Sequence, residues 1–376
     1  MRIGLNATIA TRQRTGTGQY AANLTAALMS LAREEEFVVY CHREMQGWFE
    51  EHRQPNTIAI HGVDVCSPVW RIFWEQLTLP RCLKKDSVEL LHSMSFTSPL
   101  LRSTKTVVTV HDLVFKHYAA TIPWSKRLYY WPIFVNSIRC ATKIITLSES
   151  VRDELNQAFD LETHSLSIVP AAAGQEFMNY SRGKEAQALE RLCIERPYIL
   201  AVATLEPRKN LDIIIQAFSE LKAEKALPHK LVLCGKNGWL SERTLNVMGP
   251  QKGDTDIKWT GYVDQTDMPA LYAGAELFLF PSIYEGFGFP PLEAFACGTP
   301  VVASDIPVHR EVCEQGALLA NPHSVGEWKE MICRTLYDPQ MRSALVDKGF
   351  RRVEEFSWER TVKETLAVYH EAYAEH

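Results

Sequence analysis

Short apolar runs alternate with segments of helical periodicity along almost the whole chain, and this alternation restricts the fold more than any other feature. Continuous apolar runs are typical of strands that are buried on both faces, and helices between them predict parallel strands with crossover connections. The predicted strands are Ile3–Ala7, Phe37–Cys41, Leu90–Ser93, Thr106–Val110, Lys143–Leu147, Ser167–Val169, Tyr198–Ala203, Lys230–Cys234, Ile257–Trp259, Leu277–Phe280, Pro300–Ala303 and Leu318–Leu319. The predicted helices are Gly18–Ala32, Ile72–Lys84, Ser125–Ala141, Ser150–Ala158, Leu211–Lys222, Met268–Ala273, Leu292–Cys297, Val325–Leu336 and Ser357–Tyr373.

The length of 376 residues suggests two domains, at roughly 100–200 residues per domain. A polar stretch with little strand character, Gly174–Glu190, is the predicted linker. We therefore expect residues 1–180, completed by a final helix within 357–376, and residues 181–356 to form two domains. The fold class is α/β, with two Rossmann-like, doubly wound parallel-sheet domains separated by a cleft. Ligands of such sheets bind beyond the carboxyl ends of the strands.

Composition excludes several classes of protein. The chain is 46% hydrophobic and 23% charged with a net charge of −5, which gives no basic field for nucleic acid. It contains no apolar run of about 18 residues and no signal-peptide core. Its nine cysteines include no CxxC pair, and we interpret them as reduced thiols that form no metal site. We expect a cytoplasmic protein.

The strongest local signal is the glycine loop that follows the predicted strand Leu277–Phe280. Pro290 and the proline after it suit the first turn of a helix, where a missing N–H costs nothing. The N–H groups of Gly286, Phe287 and Gly288 then lie near the positive end of that helix. Such an arrangement predicts a binding site for an anion such as a diphosphate.

Two glutamates in the same segment need a separate explanation, because they would repel that anion. Glu285 in the loop and Glu293 in the predicted first helical turn could each accept hydrogen bonds from neutral vicinal hydroxyls, Glu285 from a sugar and Glu293 from a ribose. The alternative is that Glu293 only complements the helix dipole and that Glu285 is a solvated loop residue.

A pair of cations, Arg208 and Lys209, follows strand Tyr198–Ala203 in a strand-to-helix loop, with Asn210 as the expected N-cap of the next helix. Cations at a helix start oppose the helix dipole, so their presence predicts a phosphate group that bridges them. The alternative is an exposed basic turn.

Two further loops follow strands of the first half. Gly16 and Gly18 open the first predicted helix, where glycine allows the backbone to approach a ligand closely. They could belong to a dinucleotide fingerprint, but no acidic residue follows the second strand. His111 and Asp112 end strand Thr106–Val110, where a histidine can hydrogen-bond a substrate oxygen or carry a proton; the alternative is a structural His–Asp contact.

Aromatic and basic residues share one predicted helix, from Trp70 and Trp74 to Arg81 and Lys84–Lys85. This combination suits contact with lipid or a lipid-linked acceptor. Core packing of the aromatic side chains is the alternative.

Taken together, these segments resemble family 4 glycosyltransferases of GT-B architecture. The resemblance covers nearly the whole chain, and its most specific parts are the E-x7-E spacing of Glu285 and Glu293 and the sequence EPRKN at Glu206–Asn210. It implies retaining transfer of a hexose from a nucleotide sugar without a required metal. The residues that it implies are His111, Arg208, Lys209 and Glu285 for catalysis; Gly16, Gly18, Thr204, Arg208, Lys209, Gly235, Val263, Glu285, Gly286, Phe287, Gly288, Leu292 and Glu293 for the donor; and Asp112, Trp74 and Arg127 for the acceptor.

The resemblance also narrows the substrates. Many members carry an arginine five residues before the lysine, where this chain has Thr204, so Arg208 is expected to replace that charge. The EPRKN sequence is similar to that of mannosyltransferases of bacterial surface polysaccharide assembly. It implies GDP-mannose as donor, with a UDP-sugar as the alternative. The implied acceptor is a glycan or a polyprenyl-diphosphate-linked oligosaccharide, with peripheral contact to the inner membrane.

Three other functions stay open on the sequence. A nucleotide-sugar 2-epimerase has a similar architecture, but normally lacks the E-x7-E spacing. A glycoside hydrolase also uses two carboxylates, but has no need of the Arg208–Lys209 pair. A non-catalytic protein could bind the nucleotide sugar without turnover.

Overall fold

The computed structural model describes residues 1–13, 16–65, 67–101, 104–118, 124–161, 165–225, 227–238 and 256–375. The chain forms two compact units. Unit 1 comprises Met1–Ala171 and Ser357–His376, and unit 2 comprises Ala172–Phe356. The boundary after Ala171 precedes the stretch that the sequence predicted as a linker, and that stretch contains two short helices, Gln175–Met178 and Ala186–Arg191.

The described residues of unit 1 form a seven-stranded parallel sheet in the order β3-β2-β1-β4-β5-β6-β7. Its strands are β1 (Arg2–Ala7), β2 (Glu36–His42), β3 (Thr57–Val63), β4 (Leu90–Ser93), β5 (Lys105–Val110), β6 (Lys143–Thr146) and β7 (Leu166–Ile168). Its first helices are α1 (Gly16–Leu31), α2 (Gln46–Glu51), α3 (Pro68–Phe73), α4 (Leu79–Lys85), α5 (Val114–His117), α6 (Trp124–Arg139) and α7 (Glu149–Phe159). The strand order reverses between β1 and β4.

Strand β3 is absent from the sequence prediction. It lies at the edge of the sheet, and Ile58 within it is 42% exposed. Its apolar run is also interrupted by His61 and Gly62. A strand that is covered on fewer sides lacks the continuous hydrophobicity that reveals the central strands.

The helix predicted over Ile72–Lys84 is interrupted. A π-helical turn, Trp74–Thr78, separates α3 from α4, and Pro80 lies in the first turn of α4. Because proline has no N–H to donate to the preceding turn, a continuous α-helix would lose a hydrogen bond there. The wider π turn accommodates this change, and such turns are frequent at functional sites.

The described residues of unit 2 form a six-stranded parallel sheet in the order β10-β9-β8-β11-β12-β13. Its strands are β8 (Tyr198–Val202), β9 (Lys230–Cys234), β10 (Ile257–Trp259), β11 (Leu277–Phe280), β12 (Val301–Ser304) and β13 (Ala317–Ala320). Its helices are α8 (Gln175–Met178), α9 (Ala186–Arg191), α10 (Leu211–Ala223), α11 (Met268–Gly274), α12 (Phe289–Ala296), α13 (Pro307–Cys313), α14 (Val325–Tyr337) and α15 (Pro339–Glu354). All four residues of β11 are buried, as expected for a central parallel strand.

The last helix, α16 (Trp358–Ala374), packs on unit 1 although it follows unit 2 in the sequence. Ser357 caps its start by accepting a hydrogen bond from the N–H of Arg360, as predicted. Thr361 Oγ1 donates to the carbonyl of Pro170 at 2.7 Å. Among the described residues, no helix combines the length and hydrophobicity needed to cross a bilayer.

Candidate functional site

Two loops of unit 2 bring the predicted cations and the first predicted glutamate together. Arg208 and Lys209 follow β8, and Glu285 follows β11. These strands flank the point where the strand order of the sheet reverses, which is where α/β sheets bind their ligands. The N–H of Ile283 donates to the carbonyl of Arg208 at 2.9 Å, so the main chains of the two loops are joined directly.

The side chains of these loops form a charged cluster. Arg208 Nη1 donates to Glu285 Oε2 at 3.1 Å and to the carbonyl of Tyr284 at 3.2 Å, and Arg208 Nε donates to Glu206 Oε2 at 3.1 Å. Lys209 Nζ donates to Glu285 Oε1. The four charged side chains, Glu206, Arg208, Lys209 and Glu285, are 9–15% exposed. We refer to these four residues as the Arg–Lys–Glu cluster.

The cluster shifts the proton affinities of its own members. Burial would raise the pKa of the Glu285 carboxyl, but the charges of Lys209 and Arg208 outweigh it and hold this pKa at about 2. Burial and the charge of Arg208 lower the pKa of Lys209, although Glu285 opposes this change. Burial also raises the pKa of Glu206 against the effect of both cations. Glu285 is therefore a permanent anion at neutral pH.

Asn210 does not cap helix α10 in the way that the sequence predicted. It adopts a left-handed conformation, with φ 53°, after the single 3₁₀ turn Pro207–Lys209. Its side-chain Nδ2 donates to the carbonyl of Pro322 at 2.8 Å, and its side chain makes no capping hydrogen bond. The residue thus ties the cation-bearing loop to the segment after β13.

The sequence predicted Glu293 in the first turn of the helix, but the residue lies in the second turn of α12. The reason is that α12 begins at Phe289 and includes both prolines in its first turn. Its side chain is buried, and Tyr272 Oη donates to Glu293 Oε2 at 2.8 Å. This tyrosine comes from α11, so the hydrogen bond fixes the second glutamate of the E-x7-E pair against a neighbouring helix.

The glycine loop before α12 has the backbone freedom that the sequence indicated. Gly288 has φ +127°, a conformation that L side chains rarely adopt. The side chain of Phe287 is buried, with ring centroids 5.2 Å from Phe289 and 5.8 Å from Phe356. Leu292 is also fully buried. Ligand contacts of Phe287 would therefore use its main chain.

Gly235, at the end of β9, is required by a close approach of two backbones. Its φ is +146°, and a Cβ at this position would lie 1.9 Å from the carbonyl oxygen of Ala203. Its N–H donates to the carbonyl of Gly261 at 2.9 Å. Two other predicted donor residues differ in exposure: the side chain of Thr204 is partly exposed, whereas that of Val263 is buried.

His111 is held at the end of β5 in unit 1. Its Nε2 hydrogen-bonds the carbonyl of Met94 at 2.9 Å, so Nε2 carries the proton in the neutral ring. Burial lowers its pKa. Asp112 accepts a hydrogen bond from the N–H of Val114 at 3.1 Å, and no His111–Asp112 hydrogen bond is found among the described residues. The charge of Asp112 nevertheless opposes the lowering of the His111 pKa, so the alternative of a structural His–Asp contact stays open.

The predicted loop at Gly16 and Gly18 is helical. Helix α1 begins at Gly16, two residues earlier than predicted. A Cβ at Gly18 would lie 3.2 Å from the carbonyl oxygen of Ile9, whereas a Cβ at Gly16 would meet nothing within 4 Å. Close packing within the unit therefore explains why position 18 is a glycine, but it does not explain the glycine at position 16.

Of the three residues predicted to contact an acceptor, Trp74 lies in the π turn with its ring centroid 6.0 Å from that of Tyr40, packed against a core cluster. The exposed aromatic residues of this helical segment are Trp70 and Phe73. The side chain of Arg127 lies outside the described residues.

Sequence reasoning missed two buried groups beside this chemistry. Tyr272 looked like any core aromatic of a helix. His309 is fully buried on α13, its Nδ1 bonds the carbonyl of Ser304 at 2.8 Å, and its ring centroid is 4.9 Å from that of Phe280. Burial lowers its pKa to about 4, and the charge of Glu285 acts against this shift. The signal in the sequence that could have revealed His309 was a histidine in the first turn of the helix that follows β12.

Comparisons with known proteins show the family to which the chain belongs. Residues 190–352 match the family model for glycosyl transferases group 1, and residues 14–172 match the model for glycosyltransferase family 4. The O-antigen chain mannosyltransferase B of Escherichia coli is 30% identical over 281 residues, which are 74% of each protein. The O-antigen chain mannosyltransferase RfbU of Salmonella typhimurium strain LT2 is 26% identical over 325 residues, 85% of this chain and 86% of that protein.

Solved structures show the same architecture. HepE from Anabaena, determined with UDP and glucose, superposes with a TM-score of 0.74 at 15% identity and covers 99% of both chains. The two parallel sheets, with seven and six strands among the described residues, are those of the GT-B fold. With family models matching both units and a relative of 30% identity spanning 74% of each protein, the chain belongs to family 4 of the glycosyltransferases, the enzymes that transfer a sugar to an acceptor.

Proposed function

We propose that the chain is a retaining hexosyltransferase that binds the diphosphate of a nucleotide sugar at Arg208 and Lys209. The observation that carries this proposal is the convergence of both cations and Glu285 at the reversal point of the unit 2 sheet. Arg208 can clamp a phosphate with two N–H groups, and Lys209 adds a point charge. The N–H groups of Gly286 to Gly288, before α12, add donors of the kind that bind anions at helix starts.

Bond cleavage places negative charge on the leaving diphosphate. Fixed cations that bind the departing group more strongly than the substrate lower the barrier of this step. Without a donor, Glu285 accepts hydrogen bonds from Arg208 and Lys209. The diphosphate would compete for these cations, and the carboxylate would then turn its lone pairs to hydroxyls of the sugar.

The pKa of Glu285 restricts its role in the reaction. With a pKa of about 2 the carboxyl is ionised at neutral pH, so it can accept hydrogen bonds but has no proton to give. It is therefore a binding group for sugar hydroxyls and not a general acid. A carboxylate with so low a pKa is also a weak base, so the proposal assigns the acceptor's proton to the leaving phosphate, in a same-face mechanism that retains the anomeric configuration.

The remaining roles follow the same scheme. Glu293, positioned by Tyr272, would accept hydrogen bonds from the nucleotide ribose, since a carboxylate offers about four lone-pair sites. His111 would hydrogen-bond the sugar or the acceptor. The roles of Gly16, Gly18 and Asp112 stay predictions, as do the contacts of the other donor and acceptor residues.

GDP-mannose is the proposed donor, and a glycan or polyprenyl-diphosphate-linked oligosaccharide of surface polysaccharide assembly is the proposed acceptor. The support is the activity of the two bacterial relatives, both of which are O-antigen chain mannosyltransferases. The bound UDP in the structure of HepE belongs to that protein, and a UDP-sugar is the second candidate donor.

Peripheral membrane contact is part of the proposal, because the helical segment from α3 to α4 exposes several apolar side chains while it buries two charged ones. Its buried side includes Arg71 and Glu75, 6% and 0% exposed. Its outer side exposes four apolar residues, which we call the apolar face: Val69, Trp70, Phe73 and Leu77, at 41%, 61%, 54% and 58%.

The same outer side becomes basic toward its end, with Arg81, Lys84 and Lys85 exposed. Leu100 and Leu101, 49% and 80% exposed, adjoin it through a hydrogen bond from the N–H of Leu100 to Gln76. An apolar patch beside basic residues matches the interface of an anionic bilayer.

The donor is tested by thermal unfolding with GDP-, UDP-, ADP- and dTDP-sugars, because a ligand at 100 times its Kd adds about 2.7 kcal/mol of stability. We expect the largest shift with GDP-mannose. NMR of the product should then show the anomeric configuration of the donor. An inverted product would contradict retention, and conversion of the nucleotide sugar without any acceptor would favour the 2-epimerase.

Membrane contact is tested by co-sedimentation with vesicles of anionic phospholipid and of phosphatidylcholine. We expect binding to the anionic vesicles and loss of binding in Trp70→Ser/Phe73→Ser. Tyr337→Ser, at an exposed aromatic residue of unit 2, is the matched control and should bind like the wild type. Equal binding of both variants would reject the apolar face as the contact.

A further inference from the structure

A chain of buried polar side chains crosses unit 1 from the last helix to the first. His92, on β4, is fully buried. Its Nδ1 lies 2.6 Å from Tyr369 Oη of α16, and its Nε2 lies 2.7 Å from Thr109 Oγ1 of β5. Thr109 Oγ1 in turn lies 3.3 Å from Tyr20 Oη of α1. We name these four residues the Tyr–His–Thr–Tyr chain.

The protonation state of His92 makes this chain directional. Burial lowers the pKa of His92 to about 3, so its ring is neutral and offers one N–H donor and one lone pair. Each hydroxyl can donate once and accept as well. Every hydrogen bond of the chain can therefore point the same way, and removal of one hydroxyl leaves a buried neighbour unsatisfied.

The Tyr–His–Thr–Tyr chain ends beside the ring of His111. Thr109 and His111 are two residues apart along β5 and its continuation, so their side chains lie on the same side. The ring of Tyr20 bridges them: its hydroxyl bonds Thr109, and its ring stands perpendicular to that of His111 with centroids 4.8 Å apart. On its other side, His111 is held by the carbonyl of Met94.

We infer that the Tyr–His–Thr–Tyr chain positions the ring of His111 for sugar transfer, and that Tyr369 is its positioning residue on the last helix. This inference rests on the role proposed for His111. Helix α16 then contributes to the reaction as well as to the stability of unit 1, because the orientation of Tyr20 depends on a hydroxyl that α16 supplies.

The test compares two tyrosines of the same helix. Tyr369→Phe removes the hydroxyl that bonds His92, whereas Tyr373→Phe removes one that donates to Glu89 Oε1 at 2.8 Å, away from His111. We expect Tyr369→Phe to lower kcat roughly tenfold with an unchanged Kd for the donor, since small misplacements of reacting groups are costly. Tyr373→Phe should keep the wild-type kcat. Equal kcat values for both variants would overturn the inference.

A second comparison removes the effect of stability. In a His111→Ala background, Tyr369→Phe should cause no further loss of kcat, because its effect passes through His111. An additive loss would show that the chain acts elsewhere. His92→Gln, which keeps one donor and one acceptor, should retain more activity than His92→Leu, and the opposite order would also overturn the inference.

The proposed role of His111 and its positioning by the Tyr–His–Thr–Tyr chain can be disproved separately. If His111→Ala keeps the full wild-type rate, the role proposed for His111 is wrong. If His111→Ala loses activity but Tyr369→Phe does not, then the proposed function stands and the positioning chain is wrong.

Discussion

The two units place different charged clusters at the same topological position. In unit 1, where the strand order reverses between β1 and β4, Glu75 accepts hydrogen bonds from Asn6 Nδ2 at 3.1 Å and Thr97 Oγ1 at 2.8 Å. Arg71 lies 3.8 Å from Glu75 and donates to Ser95 Oγ at 3.2 Å. In unit 2, where the order reverses between β8 and β11, Arg208 and Lys209 converge on Glu285 (the Arg–Lys–Glu cluster).

The difference lies in the partners and the burial. Both oxygens of Glu75 accept from neutral groups, and its side chain has no exposure. Glu285 is bonded by two cations, and the side chains involved keep 11–15% of their surface exposed. The unit 1 cluster fills its reversal point with the protein's own polar groups, whereas the unit 2 cluster holds the two cations that we propose to bind the diphosphate. Equivalent topology therefore gives one structural site and one candidate binding site.

The largest expected effect is on the stability of unit 1. Glu75→Gln leaves the buried charge of Arg71 without its carboxylate, which should lower the free energy of unfolding by about 3–5 kcal/mol in urea denaturation. Glu50→Gln, in an exposed pair with Arg53 at 3.2 Å, is the control and should change it by less than about 1 kcal/mol. Similar losses in both variants would remove the distinction between the two clusters.

The matching experiment in unit 2 should change the reaction more than the fold. Lys209→Ala and Arg208→Ala should each lower kcat by roughly 10²–10³, or about 2.7–4 kcal/mol, on the scale of losing one oxyanion donor. Lys222→Ala, which breaks an ion pair with Asp256 at 2.9 Å in the same unit, should leave kcat unchanged. Either cluster variant turning over near the wild-type rate would contradict the proposed binding of the diphosphate.

A smaller effect should show how strongly Tyr272 stabilises Glu293, the second glutamate of the E-x7-E pair. Tyr272→Phe removes a hydrogen bond to the Glu293 carboxyl and should cost about 1.5–3 kcal/mol of unfolding free energy. Tyr198→Phe removes a hydrogen bond of 2.6 Å to the neutral carbonyl of Leu271 and should cost about 0.5–1.5 kcal/mol. A larger loss in Tyr198→Phe would show that Glu293 does not depend on Tyr272.

The last effect, which is lost only in acid, comes from the ionisation of Glu285. Its folded pKa of about 2 lies below the ordinary value of 4.5, so its charge adds stability above that ordinary value. This contribution is lost as the pH falls toward the folded pKa. The difference in unfolding free energy between wild type and Glu285→Gln should be constant from about pH 7 to pH 5 and shrink below about pH 4.5. A difference that grows on acidification would reverse the assigned shift.

Sequence reasoning located the central strands of both sheets well. Leu90–Ser93, Lys230–Cys234 and Leu277–Phe280 were predicted with the bounds that the structure has. Continuous burial of parallel strands produces a local apolar signal that survives without knowledge of neighbours. The strand β3 and the π turn gave no such signal, because one is a partly exposed edge and the other depends on a single proline within an otherwise helical pattern.

The candidate site was predicted in its residue types but not in its contacts. The sequence predicted a phosphate at Arg208 and Lys209 and sugar hydroxyls at Glu285, but it could not show that these three side chains bond one another. It also placed Glu293 one turn too early, because the helix begins at Phe289, three residues before the predicted start at Leu292. The exposed apolar side of the segment that carries Trp70 was likewise invisible to periodicity, because the same segment also buries apolar residues such as Ile72, Leu79 and Leu83.

The sequence by itself determined the alternation of strands and helices, the glycines of the turns and the spacing of the two glutamates, because each of these depends on neighbours along the chain. Tertiary structure alone decided that Arg208 bonds a carboxylate 77 positions away and that Tyr369 bonds a histidine 277 positions away. The reason is that the order of strands in a sheet, and the helices packed on it, fix which distant side chains meet, and no local period encodes that order.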